Sequence, residues 1–126
     1  MSAPRPENRL ICKNSPADRV TLGRHEFTHL RTAGALDRAV RDLELPAVSD
    51  RIDVETGRFF YSVIENGRVV AVAELVDDGA SFSFIDAIGR HGAAVESLMP
   101  LGKALGEKLT ELGQPHAHRV LGASRI

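Results

Sequence analysis

The segment His25-Glu26-Phe27-Thr28-His29 has the spacing H-E-x-x-H. On a helix, histidines at i and i+4 share a face and can hold one zinc while the glutamate activates water for hydrolysis. The flanking sequence does not complete that chemistry. Thr32 and Ala35 stand where the continuation of the motif would need glycine and histidine, and Glu44, Asp50 and Glu65 lie in no second motif. Only 24 residues precede His25, fewer than a substrate-binding sheet ahead of this helix would use. Helical spacing also turns Leu22, His25 and His29 away from Val20, Phe27 and Leu30. The motif therefore reads as a polar, solvent-facing side, with no metal expected.

A second set of residues opens the last long helical run, Met99-Pro100-Leu101-Gly102-Lys103-Ala104. A helix start with small residues lets backbone N–H groups approach a phosphate, and the helix dipole favours the anion. Leu101, Gly102, Lys103 and Ala104 are the cofactor-binding candidates on this ground. The plainer alternative gives Gly102 to close helix–sheet packing and Lys103 to solvent.

Here the sequence resembles a family. The run PLGKALGEKLTELG is similar to the acyl-CoA-binding helix of the GNAT superfamily of N-acyltransferases, whose pattern is Gln/Arg-x-x-Gly-x-Gly/Ala. Gly102 and Ala104 fit the last two marked positions, while Met99 replaces the leading Gln or Arg. ICKNSPADRV resembles that family's first strand and helix start, ENGRVVAVAEL its second and third strands, and SFSFIDAI its fourth, so the likeness spans residues 9–123 in element order. The resemblance implies acetyl-CoA or another acyl-CoA as cofactor, with acyl transfer to an amine acceptor. It further implies that the third and fourth strands splay to admit the thioester arm. Asp86 or Glu74 would be the general base, by position alone. GNAT domains usually continue beyond the fifth strand with a helix and two strands, so the expectation is a short or degenerate member. A homodimer is compatible with it. The alternative from another class is a non-catalytic protein-interaction module on the same fold, its cofactor site eroded. A zinc hydrolase ranks third.

The elements that must position these residues centre on a hairpin. Asn66-Gly67 suits a type I′ turn, which needs φ > 0 at both central residues. With a two-residue loop, Glu65 would face Arg68, Val63 Val70, Tyr61 Val72 and Phe59 Glu74. Both faces are mostly apolar, so the hairpin should lie in the sheet centre with helices on both sides. Before it, residues 9–13 read as an edge strand. Ser15, Pro16 and Asp18 read as a capped helix start, with the helix running to Leu30. Ala33 to Glu44 reads as a second helix stopped by Pro46. Ser81 to Ile88 reads as a strand, Leu98 to Leu112 as a helix that Ser97 caps and Gly113 and Pro115 end, and Arg119 to Ala123 as a short strand. The expected class is α+β: a mixed, mainly antiparallel sheet in the order β-α-α-β-β-β-α-β.

Composition bounds the rest. The 126 residues suffice for one domain, expected over 9–126 after a disordered lead at 1–8. A net charge of −1 argues for neither nucleic acid nor an anionic membrane. The single cysteine, Cys12, excludes an internal disulfide and reads as a small buried hydrophobe. His91 reads as an exposed loop residue. With no apolar leader and no stretch long enough to span a bilayer, a cytoplasmic protein is expected. The closing Ser-Arg-Ile only loosely resembles a peroxisomal address.

Overall fold

Asn66 and Gly67 turn the chain at φ +53 and +76, the left-handed pair that a type I′ hairpin requires. The strands they join, β3 (Arg58–Glu65) and β4 (Arg68–Asp77), sit in the middle of the fold, as the sequence implies. The computed structural model describes residues 6–47, 58–77, 81–89 and 95–125. The sequence also offers a turn at Asp77-Asp78-Gly79 and a polar connection over 46–57; Asp78 and Gly79, the His91 loop and residues 48–57 lie outside the described residues.

The register departs from simple pairing after two residues. Glu65 faces Arg68 and Ile64 faces Val69, but Val63 then faces Ala71, leaving Val70 as the extra residue of a bulge. A one-residue slip moves every later side chain to the other face. Tyr61 therefore pairs with Ala73, not Val72, and Phe59 with Leu75, not Glu74.

The remainder of the sheet corrects the expected order. The 15–30 segment is not a helix. It forms a hairpin of β1 (Arg19–Leu22) and β2 (His25–His29), turning at Gly23 with φ +61. Glycine takes that backbone without a Cβ clash, so a residue that only weakens a helix is well suited to a tight turn. Val20 and Phe27, which a helical period also placed together, meet as cross-strand partners and are buried. Ser15 does not cap a helix; its hydroxyl donates to the Ala17 carbonyl at 2.6 Å. The 9–13 strand reduces to one bridge between Leu10 and Thr32, and residues 6–8 form a 3₁₀ turn.

Helix α1 (Ala33–Asp42) follows, capped by Thr32, whose Oγ1 accepts from Ala35 N–H at 3.2 Å. With β5 (Phe82–Gly89) the sheet runs β1-β2-β3-β4-β5, antiparallel throughout. The observed order is β-β-α-β-β-β-α. The class is α+β.

Helix α2 (Val95–Arg125) starts earlier and ends later than its sequence suggests. Ser97 and Pro100 lie inside it. Gly113 does not take the left-handed conformation a C-cap would need, and residues 119–123 continue the helix in place of the expected strand. Leu105 and Leu109 are fully buried, while Leu112 is 41% exposed. A Cβ at Gly106 would meet the Leu75 side chain, so α2 covers the face of the sheet that carries Leu75. Phe60, Ser62 and Val72 on the other face are also buried, and α1 contacts β4.

Candidate functional site

Alternation along β4 decides the geometry of the expected active site. Glu74 and Leu75 are consecutive and so point to opposite faces. Glu74 faces Asp86 across the β4–β5 ladder, while Leu75 faces Phe84, with Ile85 bulged out between. The two carboxylates proposed as bases are thus neighbours. The Arg58 Nε lies 3.2 Å from Glu74 Oε2, but off the line a hydrogen bond needs, so that oxygen has no hydrogen-bond partner. Burial holds the Glu74 carboxyl above its ordinary pKa; Arg58 opposes this and Asp86 adds to it. Asp86 is exposed and turns one oxygen to its own neighbour, accepting from Ala87 N–H at 2.8 Å.

Leu101, Gly102, Lys103 and Ala104 lie elsewhere. Their helix begins at Val95, so they occupy its second and third turns, beyond the first four N–H groups that a helix leaves unpaired. Gly102 is buried, and a Cβ there would overlap the Phe84 ring. Phe84 shares the Leu75 face. The sheet therefore stands between Gly102 and the Glu74–Asp86 pair. β4 and β5 stay paired from Ala71–Gly89 to Asp77–Phe82, interrupted only at the bulge, rather than splayed.

The H-E-x-x-H residues are on a strand. His25, Phe27 and His29 alternate onto one face and Glu26 onto the other, so the zinc-site geometry of a helix does not arise. His25 Nε2 lies 3.4 Å from Glu65 Oε2. His29 is not solvent-facing: its side chain is fully buried, with its ring 5.1 Å from that of Tyr61 and 5.6 Å from that of Phe59. Neither ring nitrogen has a hydrogen-bond partner, and the Asp18 carboxylate stops 3.9 Å from Nδ1. Burial, with the Arg31 charge in support and Asp18 opposing, lowers the His29 pKa to about 4. Among the described residues no cluster of three or more His, Cys, Asp or Glu could hold a metal.

Two polar features escaped the sequence reading. The Tyr61 hydroxyl reaches Ser15 Oγ and the Ala17 carbonyl, each at 2.6 Å, tying the central strand to the segment before β1. A buried tyrosine needs such a partner, but nothing in the local sequence says that it lies 46 residues away. Cys12 is buried as expected, its Sγ 3.4 Å from the Leu30 carbonyl, and burial pushes its thiol up to about 11.

The second feature is a groove of about 400 Å³ between β5 and α2, lined by Ser81, Phe82, Ser83, Phe84, Lys103, Glu107 and Thr110. Its floor forms because α2 approaches β5 closely at Gly102 and Gly106. Phe82 N–H donates to Thr110 Oγ1 at 2.9 Å, and the Thr110 hydroxyl donates to the Gly106 carbonyl at 2.8 Å. The helix thus satisfies the Phe82 end of an edge strand. A larger hollow of about 640 Å³ beside α1 intermixes Glu7 and Asp37 with Arg38 and Arg41, a surface with no single charge sign. No protein-family model, curated protein or solved structure matches the chain.

Proposed function

We propose that this chain is a non-catalytic protein-interaction module whose contact face is the groove between β5 and α2. The observation that carries this reading is the packing at Gly102. The glycine that would admit a pyrophosphate is filled by the Phe84 ring, and its N–H lies within the helix. The same small residues that resemble a cofactor loop instead bring α2 onto the edge strand and shape a groove with two half-buried phenyl rings in it. A partner covering the exposed part of these rings would remove apolar surface from water.

One observation favours the acyl-transfer reading as a second. Glu74 is a half-buried carboxyl with a raised pKa beside Asp86, the kind of pair that can exchange a proton with an amine. The two readings part on ligand binding. Calorimetric titration of the whole chain with acetyl-CoA and with desulfo-CoA at millimolar concentration should give no heat. Saturable heat that disappears in a folded Gly102→Glu variant would replace the module by the acyltransferase.

A further inference from the structure

The sheet ends at β5 on one side and at β1 on the other, and the two edges differ. β5 is blunted: its ladder carries the Ile85 bulge, and Thr110 Oγ1 takes up the Phe82 N–H. β1 pairs with β2 in unbroken register and contains no proline. No described residue hydrogen-bonds to its outer side. Parity decides which backbone groups face out. The Asp18 carbonyl accepts from His29 N–H at 2.8 Å. Bonded and non-bonded positions alternate in an antiparallel pair, so Val20 and Leu22 bond to Phe27 and His25. Arg19 and Thr21 therefore turn their N–H and C=O groups outward, and both residues are exposed.

We propose that a second copy of this chain pairs with β1 along this edge, antiparallel about a two-fold axis at Val20, so that two sheets become one. That register uses every outward group. Arg19 stands opposite Thr21 of the second copy, Thr21 opposite its Arg19, and each such pair exchanges two hydrogen bonds. The occupant is argued from charge. Arg19, Thr21, Glu26 and Thr28 share one face of the β1–β2 hairpin. Arg19 and Glu26 are both exposed, and neither has an ion-pair partner among the described residues. The register sets Glu26, Thr21 and the second copy's Arg19 in one row, with the acid and the base about 10 Å apart at Cα and a short threonine between them. The axis repeats the row. The two arginines stand diagonally across it, and each has the carboxylate of its own row to extend toward. Any extended segment could make the backbone bonds. A second copy also brings a β2 strand whose Glu26 is in register with Arg19, which a single added strand lacks. β1 and β5 are opposite edges, so this contact is separate from the β5–α2 groove and goes beyond the reading built on it.

The test is amide hydrogen exchange of the whole chain at low and at millimolar concentration, beside sedimentation equilibrium. Association should slow exchange at Arg19 and Thr21 by about tenfold or more at the higher concentration. Val20 and Leu22 should not change, because they already bond to β2. Thr21→Pro removes only an outward N–H, which an edge strand tolerates, so it should stay folded by circular dichroism and be monomeric. Arg19→Glu and Glu26→Arg should each weaken the dimer, and mixing the two variants should restore it, since both rows again hold an acid and a base. The exchange pattern needs no variant and decides the matter even where Thr21→Pro fails to fold. A wild type that is monomeric at millimolar concentration overturns the proposal. So does a dimer in which Arg19 and Thr21 exchange as fast as in the monomer, because its contact lies on another face. Neither outcome touches the acetyl-CoA titration that tests the groove.

Discussion

The His29 imidazole stacks on the Tyr61 ring at 5.1 Å, with the planes 27° apart, and neither of its nitrogens has a hydrogen-bond partner. The site accommodates the neutral ring and disfavours the charged one. A folded pKa of about 4 against the ordinary value of 6.5 means that the unfolded chain binds the proton first as pH falls. The stabilisation is fully present above pH 6.5 and is lost as pH drops toward 4. Linkage puts the loss at about 2 kcal/mol between about pH 7 and about pH 5. Urea unfolding at those two values should show it in wild type and not in His29→Phe, where a phenyl ring takes the same space. An equal pH dependence in both proteins would show that His29 is not the group responsible.

Tyr61 contributes at the other end of its ring. Its hydroxyl is held by Ser15 Oγ and the Ala17 carbonyl, and burial raises its pKa to about 12. Tyr61→Phe should cost about 1–2 kcal/mol, because Ser15 and Ala17 lose a buried partner. The effect should be local: amides at 15–18 should exchange faster, while those of β4 keep their protection. A double-mutant cycle with Ser15→Ala would check the link, since the coupling vanishes if the two hydroxyls act independently.

How much of this was legible in the sequence depends on what each signal measures. Asn66-Gly67 fixes backbone angles locally, so the central hairpin was readable without its neighbours. The Leu36/Val40 spacing and the stop at Pro46 made α1 readable in the same way, whereas its Thr32 cap emerged only in the structure. The 15–30 segment was not readable, because Val20 and Phe27 satisfy a helical period and also meet across a hairpin. Gly23 carried the decisive signal, as a turn former rather than a weak helix residue. The bulges at Val70 and Ile85 depend on packing with other strands and leave no local mark. The candidate bases Glu74 and Asp86 were named separately, and only the ladder shows that they are opposite each other.

The close seat of α2 on β5 makes a ranking prediction. A Cβ at Gly106 would lie 2.6 Å from the Phe82 carbonyl oxygen, a backbone atom fixed by the strand. At Gly102 the obstacle is the Phe84 side chain, which is only half-buried and can rotate outward. Alanine improves helix propensity at either position by about 1 kcal/mol, and overpacking opposes it by about 1–3 kcal/mol. Gly106→Ala should therefore be the more destabilising of the two by thermal unfolding. It should also expose α2 amides to exchange. The reverse order would mean that α2 can shift bodily away from β5.

The end of α1 offers a substitution that should raise stability. Glu44 N–H donates to the Arg41 carbonyl at 2.8 Å, and Leu45 N–H to the Val40 carbonyl at 3.1 Å, the two bonds of a Schellman cap. Such a cap places its C′ residue in the left-handed region, and Glu44 stands there at φ +63. A residue with a Cβ costs about 1–2 kcal/mol in that conformation, whereas glycine takes it freely. Against this, glycine makes the unfolded chain more flexible, and the Glu44 side chain gives up its surface contacts, each a smaller effect. Glu44→Gly should thus stabilise the protein by about 0.5–1 kcal/mol in urea, with an unchanged m-value. Glu44→Val, which adds β-branching at positive φ, should destabilise it. If both variants match wild type, the last turn of α1 frays in solution and the cap carries no energy.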